Sequence, residues 1–239
     1  MFSHSLIYIN NIAMSIIDFI KRVIECPNVE ASSELDSHPC YQISKHAFSE
    51  SKRTCPCPLR PVNKDLEKGD KISLILIGYN FGMSTKNLKG IFVSDDLKTK
   101  VERVKTKTSS RAQVNWENVT NYLLKDKSTL VIATNIIMCR TSSKSSFKKS
   151  RYEVEAICRH YIEELLDHLY PKATLVVYDK DAQKFLNKKY NMNLSPNSYN
   201  KINNRLIIYI RRTQGSIIYK NIFQEEQLCE IRKFHNDFK

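Results

Sequence analysis

Apolar residues recur along the chain in two alternating patterns, as short continuous runs and as stripes at helical spacing. The runs are rich in Leu and β-branched residues, typical of strands buried on both faces of a sheet; they cover residues 72–77, 130–137, 173–178 and 205–210. The stripes indicate amphipathic helices; they cover residues 1–25, 115–124, 152–169, 181–189 and 224–238. Because strand and helix alternate, we predict an α/β fold, a three-layer αβα sandwich with a central, mostly parallel four-stranded sheet.

Two stretches carry little apolar pattern and suggest how the chain is divided. Residues 26–70 are polar and irregular, and the segment from Lys98 to Arg111 is strongly basic. We interpret the basic segment as mobile or as ordered by a partner, with a solvated surface loop as the alternative. We divide the chain into an N-terminal helical and irregular extension, residues 1–54, and one domain, residues 55–239.

The chain carries 38 Lys and Arg against 25 Asp and Glu, a net charge of +13. Such an excess favours a polyanionic partner, nucleic acid before an acidic membrane surface, although a lysine-rich codon bias would give the same composition. No apolar run approaches the roughly 18 residues of a membrane span, so we expect no membrane association. Seven cysteines, an odd number, favour reduced thiols or a metal over a disulfide framework. We expect an intracellular monomer, in the cytoplasm or nucleoid, or in a nucleus.

Two of the predicted strands end beside asparagine. The first runs into Gly78, Tyr79 and Asn80, and the second carries Asn135 near its end. In open α/β sheets, ligands bind where the carboxyl ends of the strands deliver their loops. The two asparagines are therefore predicted to share one cleft, with turn or capping roles as the alternative.

The order of further motifs resembles the uracil-DNA glycosylase superfamily, most closely its iron–sulfur branch, from about Cys55 to Gly215. Each matching segment falls in the family's order along the chain: Gly78-Tyr79-Asn80-Phe81-Gly82, Gly90-Ile91-Phe92-Val93, Thr134-Asn135, Cys139-Arg140, Glu155, Cys158, Pro171-Lys172 and Ala182. Phe81 stands where the family usually has proline.

The resemblance implies a DNA-repair glycosylase that hydrolyses the N-glycosidic bond of uracil, or of a related deaminated base, in single- or double-stranded DNA. Such an enzyme extrudes its base into a snug pocket. By resemblance, Asn80 in the loop with Gly78 and Tyr79 positions the hydrolytic water, and Phe92 stacks on the base. The carboxamide of Asn135, a donor beside an acceptor, reads the edge of uracil.

One departure from the family bears on catalysis. The late His-Pro-Ser loop, whose His donates to a uracil oxygen, is absent, and Arg211 and Arg212 follow the last strand instead. Arg211 is predicted to supply a charged donor, and Arg212 a DNA contact. The alternative is a catalytically weakened DNA-binding or replication-accessory member of the superfamily. A basic domain of a ribonucleoprotein assembly would explain the charge but not the motif order.

A Ser- and Lys-rich stretch, residues 140–151, follows the Asn135 strand. We interpret it as a loop whose cations contact DNA phosphates beside the cleft, or as a flexible surface loop. The predicted contacts are Arg140, Lys144, Lys148 and Lys149.

The resemblance also implies a metal centre. Cys139 and Cys158 match two of the family's iron–sulfur ligands in context, and Cys55 and Cys57 precede the first strand at a suitable distance, with C-x-C spacing in place of C-x2-C. These four are predicted to hold a four-iron four-sulfur cluster, with zinc as the alternative. Cys26 and Cys40 are alternative ligands, and Cys158 lies on an apolar stripe where a core cysteine is ordinary.

Overall fold

The computed structural model describes residues 15–27, 39–40, 56–67, 69–80, 95–108, 111–125, 129–139, 144–211 and 222–237. Its strands are β1 (Arg60–Pro61), β2 (Ile72–Asn80), β3 (Leu130–Ile137), β4 (Thr174–Val177), β5 (Ser198–Ile202) and β6 (Arg205–Tyr209). Its longer helices are α1 (Ile16–Ile24), α2 (Leu97–Lys105), α3 (Arg111–Leu124), α4 (Lys144–Glu163), α5 (Lys180–Tyr190) and α6 (Glu225–Asp237). A π-helical turn, Glu164–Leu169, continues α4. The predicted α/β class is confirmed.

The strands form one sheet in the order β1–β3–β2–β4–β6–β5. The four inner strands are parallel, and they are the four that the apolar runs predict. At the edges, β1 pairs antiparallel with β3 and β5 pairs antiparallel with β6. The sheet is therefore mostly parallel as predicted, but it has six strands rather than four, because its polar edge strands carry no apolar run.

Helices cover both faces of the sheet. Along β2, Ile75 and Ile77 belong to one apolar core with α1, α2, α4 and α5, whereas Leu74 and Leu76 belong to a second core with α3 and α6. Successive side chains of a strand point to opposite faces, so the two cores lie on opposite sides of the sheet. The near-continuous apolar sequence of β2 follows from this burial on both sides.

The helix α1 belongs to the first of these cores. Phe19 and Ile20 are fully buried in it together with Ile75 of the sheet. The Ser15 side chain caps the helix by accepting from the backbone N–H of Asp18 at 3.2 Å. Residues before position 55 therefore contribute to the core of the folded domain. The predicted helix over residues 1–25 is present from Ile16 to Ile24, and residues 1–14 lie outside the described ranges.

The basic segment between the first two parallel strands is a helix over most of its length, so its interpretation as a solvated surface loop is wrong. Asp96 caps α2 by accepting from the backbone N–H of Thr99 at 2.9 Å. Val101 and Val104 of α2 are buried against the first core. Apolar residues at helical spacing are thus sufficient to bury α2 although cations surround them.

The Ser- and Lys-rich stretch is also helical from Lys144 onward, which corrects the predicted loop over residues 140–151. Lys and Arg are good helix formers, and α4 continues through them into the apolar stripe at Val154 and Ile162. The helix α5 begins at an Asp179 cap, whose carboxylate accepts from the backbone N–H of Asp181 at 2.8 Å.

The strand order places a topological switch point, the crevice position of open α/β sheets, at the carboxyl ends of β2 and β4. The connection after β2 leads to β3 on one side, whereas the connection after β4 leads through α5 to the β5–β6 hairpin on the other. Such a switch point is where open α/β sheets bind their ligands. None of the helices in the described ranges is long and apolar enough to cross a membrane.

Candidate active site and thiol cluster

Three residues meet at the carboxyl ends of β2, β3 and β4. Gly78 and Asn135 are paired in register on neighbouring strands, and Tyr178 directly follows β4. A Cβ atom on Gly78 would lie 2.5 Å from the Tyr178 hydroxyl oxygen and closer still to Asn135 Oδ1. Because glycine has no side chain, the carboxamide and the phenol come together over its Cα. This is the polar centre of the crevice.

The centre is largely buried, and one aromatic side chain packs beside it. Asn135 and Tyr178 are 3% and 9% exposed, so both are largely withdrawn from solvent. The Tyr178 ring lies against Trp116 of α3, with ring centroids 6.3 Å apart and planes tilted by 42°. Polar groups in a desolvated setting form stronger and more selective hydrogen bonds than they do in water.

Tyr79 lies at the same strand end but on the opposite face of the sheet, within the first core. Its hydroxyl donates to Glu155 Oε2 at 2.7 Å and accepts from Arg151 Nε at 3.0 Å, both on α4. The Arg151 guanidinium stacks 4.6 Å from the Tyr79 ring centroid and pairs with Asp181 Oδ1 at 2.9 Å. This network ties the end of β2 to α4 and to the first turn of α5.

The network shifts the pKa of Tyr79 and of Arg151. Burial, reinforced by the hydrogen bond to Glu155, raises the pKa of Tyr79, which keeps the phenol neutral. Burial opposes the charge of Arg151, but Asp181 outweighs it and raises the pKa of the guanidinium. A neutral phenol between a carboxylate and a guanidinium is a positioning arrangement, since it holds the strand end without a proton to exchange near neutral pH.

The structure brings Gly78 and Asn135 together at one edge of the sheet, whereas Tyr79, a predicted substrate-binding residue, lies at the same edge on the opposite face. Asn80 is the last residue of β2 and is aligned with Ile137 of β3, two positions beyond the Gly78–Asn135 pair. The stacking candidate Phe92 lies outside the described residues.

The predicted DNA contacts are more dispersed. Lys144, Lys148 and Lys149 lie in the first turns of α4, and Arg140 and Arg212 lie outside the described residues. Arg211, the predicted charged donor, is exposed just beyond β6, and its backbone N–H donates to Asn197 Oδ1 at 3.1 Å.

Four buried cysteines form a separate cluster in the first core. They come from four parts of the chain, the end of α1, a short helical turn, the loop after β3 and the middle of α4: Cys26, Cys40, Cys139 and Cys158. Burial raises the pKa of Cys40, and the charges of Cys158 and Cys26 raise it further. The thiol of Cys139 donates to Cys158, which raises the pKa of Cys139 and lowers that of Cys158. The four thiols therefore lie near enough in one core to shift one another's pKa.

The cluster contains the two cysteines considered as alternative ligands. Cys57 is buried beside it: its backbone N–H donates to the carbonyl of Met138 at 2.9 Å, and its thiol donates to the carbonyl of Leu59 at 3.3 Å. Cys55 lies outside the described residues. As the thiols stand, no group of three or more His, Cys, Asp or Glu side chains in the described part of the chain is arranged around a metal position.

Sequence reasoning missed two polar residues of this region. The apolar pattern predicts only a strand at Tyr178, yet a polar residue at the end of such a run is a usable signal for a site residue. Arg151 lies in the predicted phosphate-contacting loop, but it is a partner of Tyr79.

No family model matches the chain, and no curated protein matches it.

Proposed function

We propose that the chain is a DNA glycosylase that hydrolyses the N-glycosidic bond of uracil, or of a related deaminated base, in DNA. The observation that carries the proposal is the withdrawn carboxamide of Asn135 over Gly78, in the crevice where a parallel sheet binds its ligands. A carboxamide offers one donor beside one acceptor, which complements the O4 and N3–H edge of uracil. The net charge of +13 suits a DNA substrate.

In this proposal, the extruded base enters the crevice and Asn135 reads its edge. By the family resemblance, Phe92 gives the base a stacking face and Asn80 holds the hydrolytic water through its side-chain oxygen. The Tyr79 network supports this arrangement by anchoring the strand end that leads into Asn80. As the glycosidic bond breaks, preorganised dipoles in the crevice stabilise the charge on the departing base.

The function is tested with uracil-containing single- and double-stranded oligonucleotides, whose abasic sites are then cleaved by alkali. We expect cleavage with the natural protein and a loss of about a hundredfold with Asn80→Ala, because a misplaced water attacks poorly. Asn200→Ala, an exposed position on the edge strand β5, is the matched control and should retain full activity. A natural protein that leaves uracil in both oligonucleotides would overturn the proposal.

The accessory-protein alternative is favoured by one observation. Arg211, proposed to replace the missing His, is exposed beyond β6, which is separated from β2 by β4. The same oligonucleotides distinguish the two functions, since binding that weakens steeply with salt but gives no cleavage indicates a DNA-binding module.

We also propose that the thiol cluster holds a four-iron four-sulfur cluster. Its four cysteines are the right donor set for such a cluster, or for zinc. A bound cluster would link α1 and α4 to the loop after β3, and so brace the strand that carries Asn135. These ligands, Cys26, Cys40, Cys139 and Cys158, replace Cys55 and Cys57 of the sequence-based prediction.

Anaerobically purified protein is therefore expected to absorb visible light and to contain iron and sulfide. Cys26→Ser and Cys40→Ser should each lose this absorbance, because each removes one thiolate of the four. Cys229→Ser, at an exposed position of α6, should keep it. Zinc in place of iron on elemental analysis would identify the other metal that four thiolates commonly bind. A colourless protein without either metal would exclude the proposed centre.

A further inference from the structure

Hydrolysis of a uracil glycoside places negative charge on the leaving base, and a hydrogen-bond donor at that base accelerates the reaction. Sequence reasoning left this donor to Arg211, which is exposed beyond β6, whereas Asn135 lies on β3, on the far side of β2 and β4. The crevice itself contains a different hydrogen-bond donor, the hydroxyl of Tyr178, directly over Gly78. Its position makes it a better candidate for contact with a base that Asn135 holds.

The geometry over Gly78 places the phenol on one particular side of the carboxamide. The Tyr178 hydroxyl oxygen and Asn135 Oδ1 are both the near neighbours of one point, the position that a Gly78 Cβ would occupy. The hydroxyl therefore lies on the Oδ1 side of the amide. A side chain at position 78 would displace both groups, so the glycine allows them to approach each other.

The order of atoms on uracil then decides which of them the phenol meets. The edge of the base presents O4, N3–H and O2 in sequence. With the Asn135 amide donating to O4 and its Oδ1 accepting from N3–H, the next group on the Oδ1 side faces O2. O2 neighbours N1, the atom that receives the electron pair of the broken bond.

We propose that Tyr178 is a catalytic residue that donates a hydrogen bond to O2 of the extruded uracil, an inference that rests on the proposed glycosylase function. In the reaction, the C1′–N1 bond breaks with its electron pair passing to N1 and O2, and the oxygen of water forms the new bond to C1′. The water proton passes to solvent. Tyr178 keeps its own proton throughout and contributes through a hydrogen bond that strengthens as charge develops on O2.

The alternative role of Tyr178 is packing, since its ring lies against Trp116 and belongs to the second core. The variant Tyr178→Phe separates the two roles, because it keeps the ring and removes only the hydroxyl. Tyr199→Phe is the matched control: it removes a phenol from the edge strand β5, where the hydroxyl contacts Glu230 of α6.

The test compares single-turnover release of free base from oligonucleotides that contain uracil, 2-thiouracil or 4-thiouracil. Sulfur is a poor acceptor, so replacement of O2 removes most of the proposed contact. We expect Tyr178→Phe to slow uracil release by about tenfold to a hundredfold. It should slow 4-thiouracil release by a similar factor, and leave 2-thiouracil release within about twofold of the natural protein. Tyr199→Phe should match the natural protein on all three substrates.

Each other outcome rejects the inference in a recognisable way. Equal slowing on all three bases would indicate a packing role, and selective insensitivity to 4-thiouracil would place the phenol at O4 instead of O2. An unchanged rate on uracil would remove Tyr178 from catalysis while leaving the glycosylase function intact. Absence of release by the natural protein itself would instead reject the proposed function.

Discussion

Arg205→Met is expected to lower the free energy of unfolding by roughly 3–5 kcal/mol, because it removes one partner from a buried ionic and hydrogen-bonded site. The guanidinium side chain is 5% exposed. It donates to the carbonyls of Pro171 at 3.0 Å and Tyr170 at 2.9 Å, to the carbonyl of Leu166, and to Asp167 at 3.4 Å. These acceptors lie at the end of the π-helical turn, where backbone carbonyls lack helical partners. Without the arginine, the carbonyls of Pro171 and Leu166 would lose this buried donor, whereas Asp167 would keep Lys189 and the Tyr170 carbonyl would keep the backbone N–H of Ala173.

Urea unfolding followed by circular dichroism measures this effect as a lower midpoint at an unchanged slope. Lys201→Met is the control, since its ion pair with Glu230 is on the surface and its loss should cost less than about 1 kcal/mol.

Burial favours the neutral form of Asp167, but Lys189, Tyr190 and Arg205 outweigh it and lower its pKa. Its contribution is thus present above the unfolded pKa of about 4 and is lost as the pH falls through the folded pKa. Equal midpoints for both variants at neutral pH would contradict the assigned role of Arg205.

The inner sheet could be predicted because burial on both faces requires a continuous run of apolar residues. Each parallel strand is an almost unbroken apolar run, as Leu130–Ile137 shows, and every residue of that strand is buried. The edge strands have no such apolar run. Ser198–Ile202 is largely polar and joins β6 through Asn203 and Asn204, both with positive φ, as in a two-residue hairpin turn. Two adjacent asparagines were the signal for that turn.

The helix α2 was missed for a different reason. Leu97, Val101 and Val104 recur at helical spacing, and Asp96 precedes them as a capping residue. The surrounding lysines made the segment look solvated when charge was judged alone. Burial of α2 needs only one apolar stripe, so periodicity was the better guide than composition.

Part of the candidate site can be predicted from local sequence, and the rest depends on the tertiary fold. Asn135 follows from its position near the end of an apolar strand, and the parallel sheet then brings it beside Gly78. Its pairing with Tyr178 depends on the strand order, which places β2 between β3 and β4. The cysteine quartet likewise depends on tertiary packing, because Cys26 and Cys40 are distant from Cys139 along the chain and lie near it only in the folded core. Neither the pairing of Asn135 with Tyr178 nor the grouping of the four cysteines can be predicted from spacing along the chain.

Asn135→Asp is expected to slow uracil release by about a hundredfold to a thousandfold. The carboxamide is 3% exposed, so its replacement by a carboxylate places an acceptor, without a donor, in a desolvated site. In its ionised form, the new carboxylate would repel O4 of uracil and oppose the charge that develops on the leaving base. In its protonated form, it would instead offer a donor and an acceptor that match N3 and the exocyclic amine of cytosine.

The measurement is single-turnover release of base from matched oligonucleotides that contain either uracil or cytosine. Asn200→Asp makes the same chemical change at an exposed position of β5 and should leave uracil release unaltered. Thermal unfolding of both variants verifies that Asn135→Asp remains folded under the assay conditions, since a buried carboxylate also costs stability. A folded Asn135→Asp protein that releases uracil at the natural rate would show that this carboxamide does not read the base, and the crevice over Gly78 would then need another ligand.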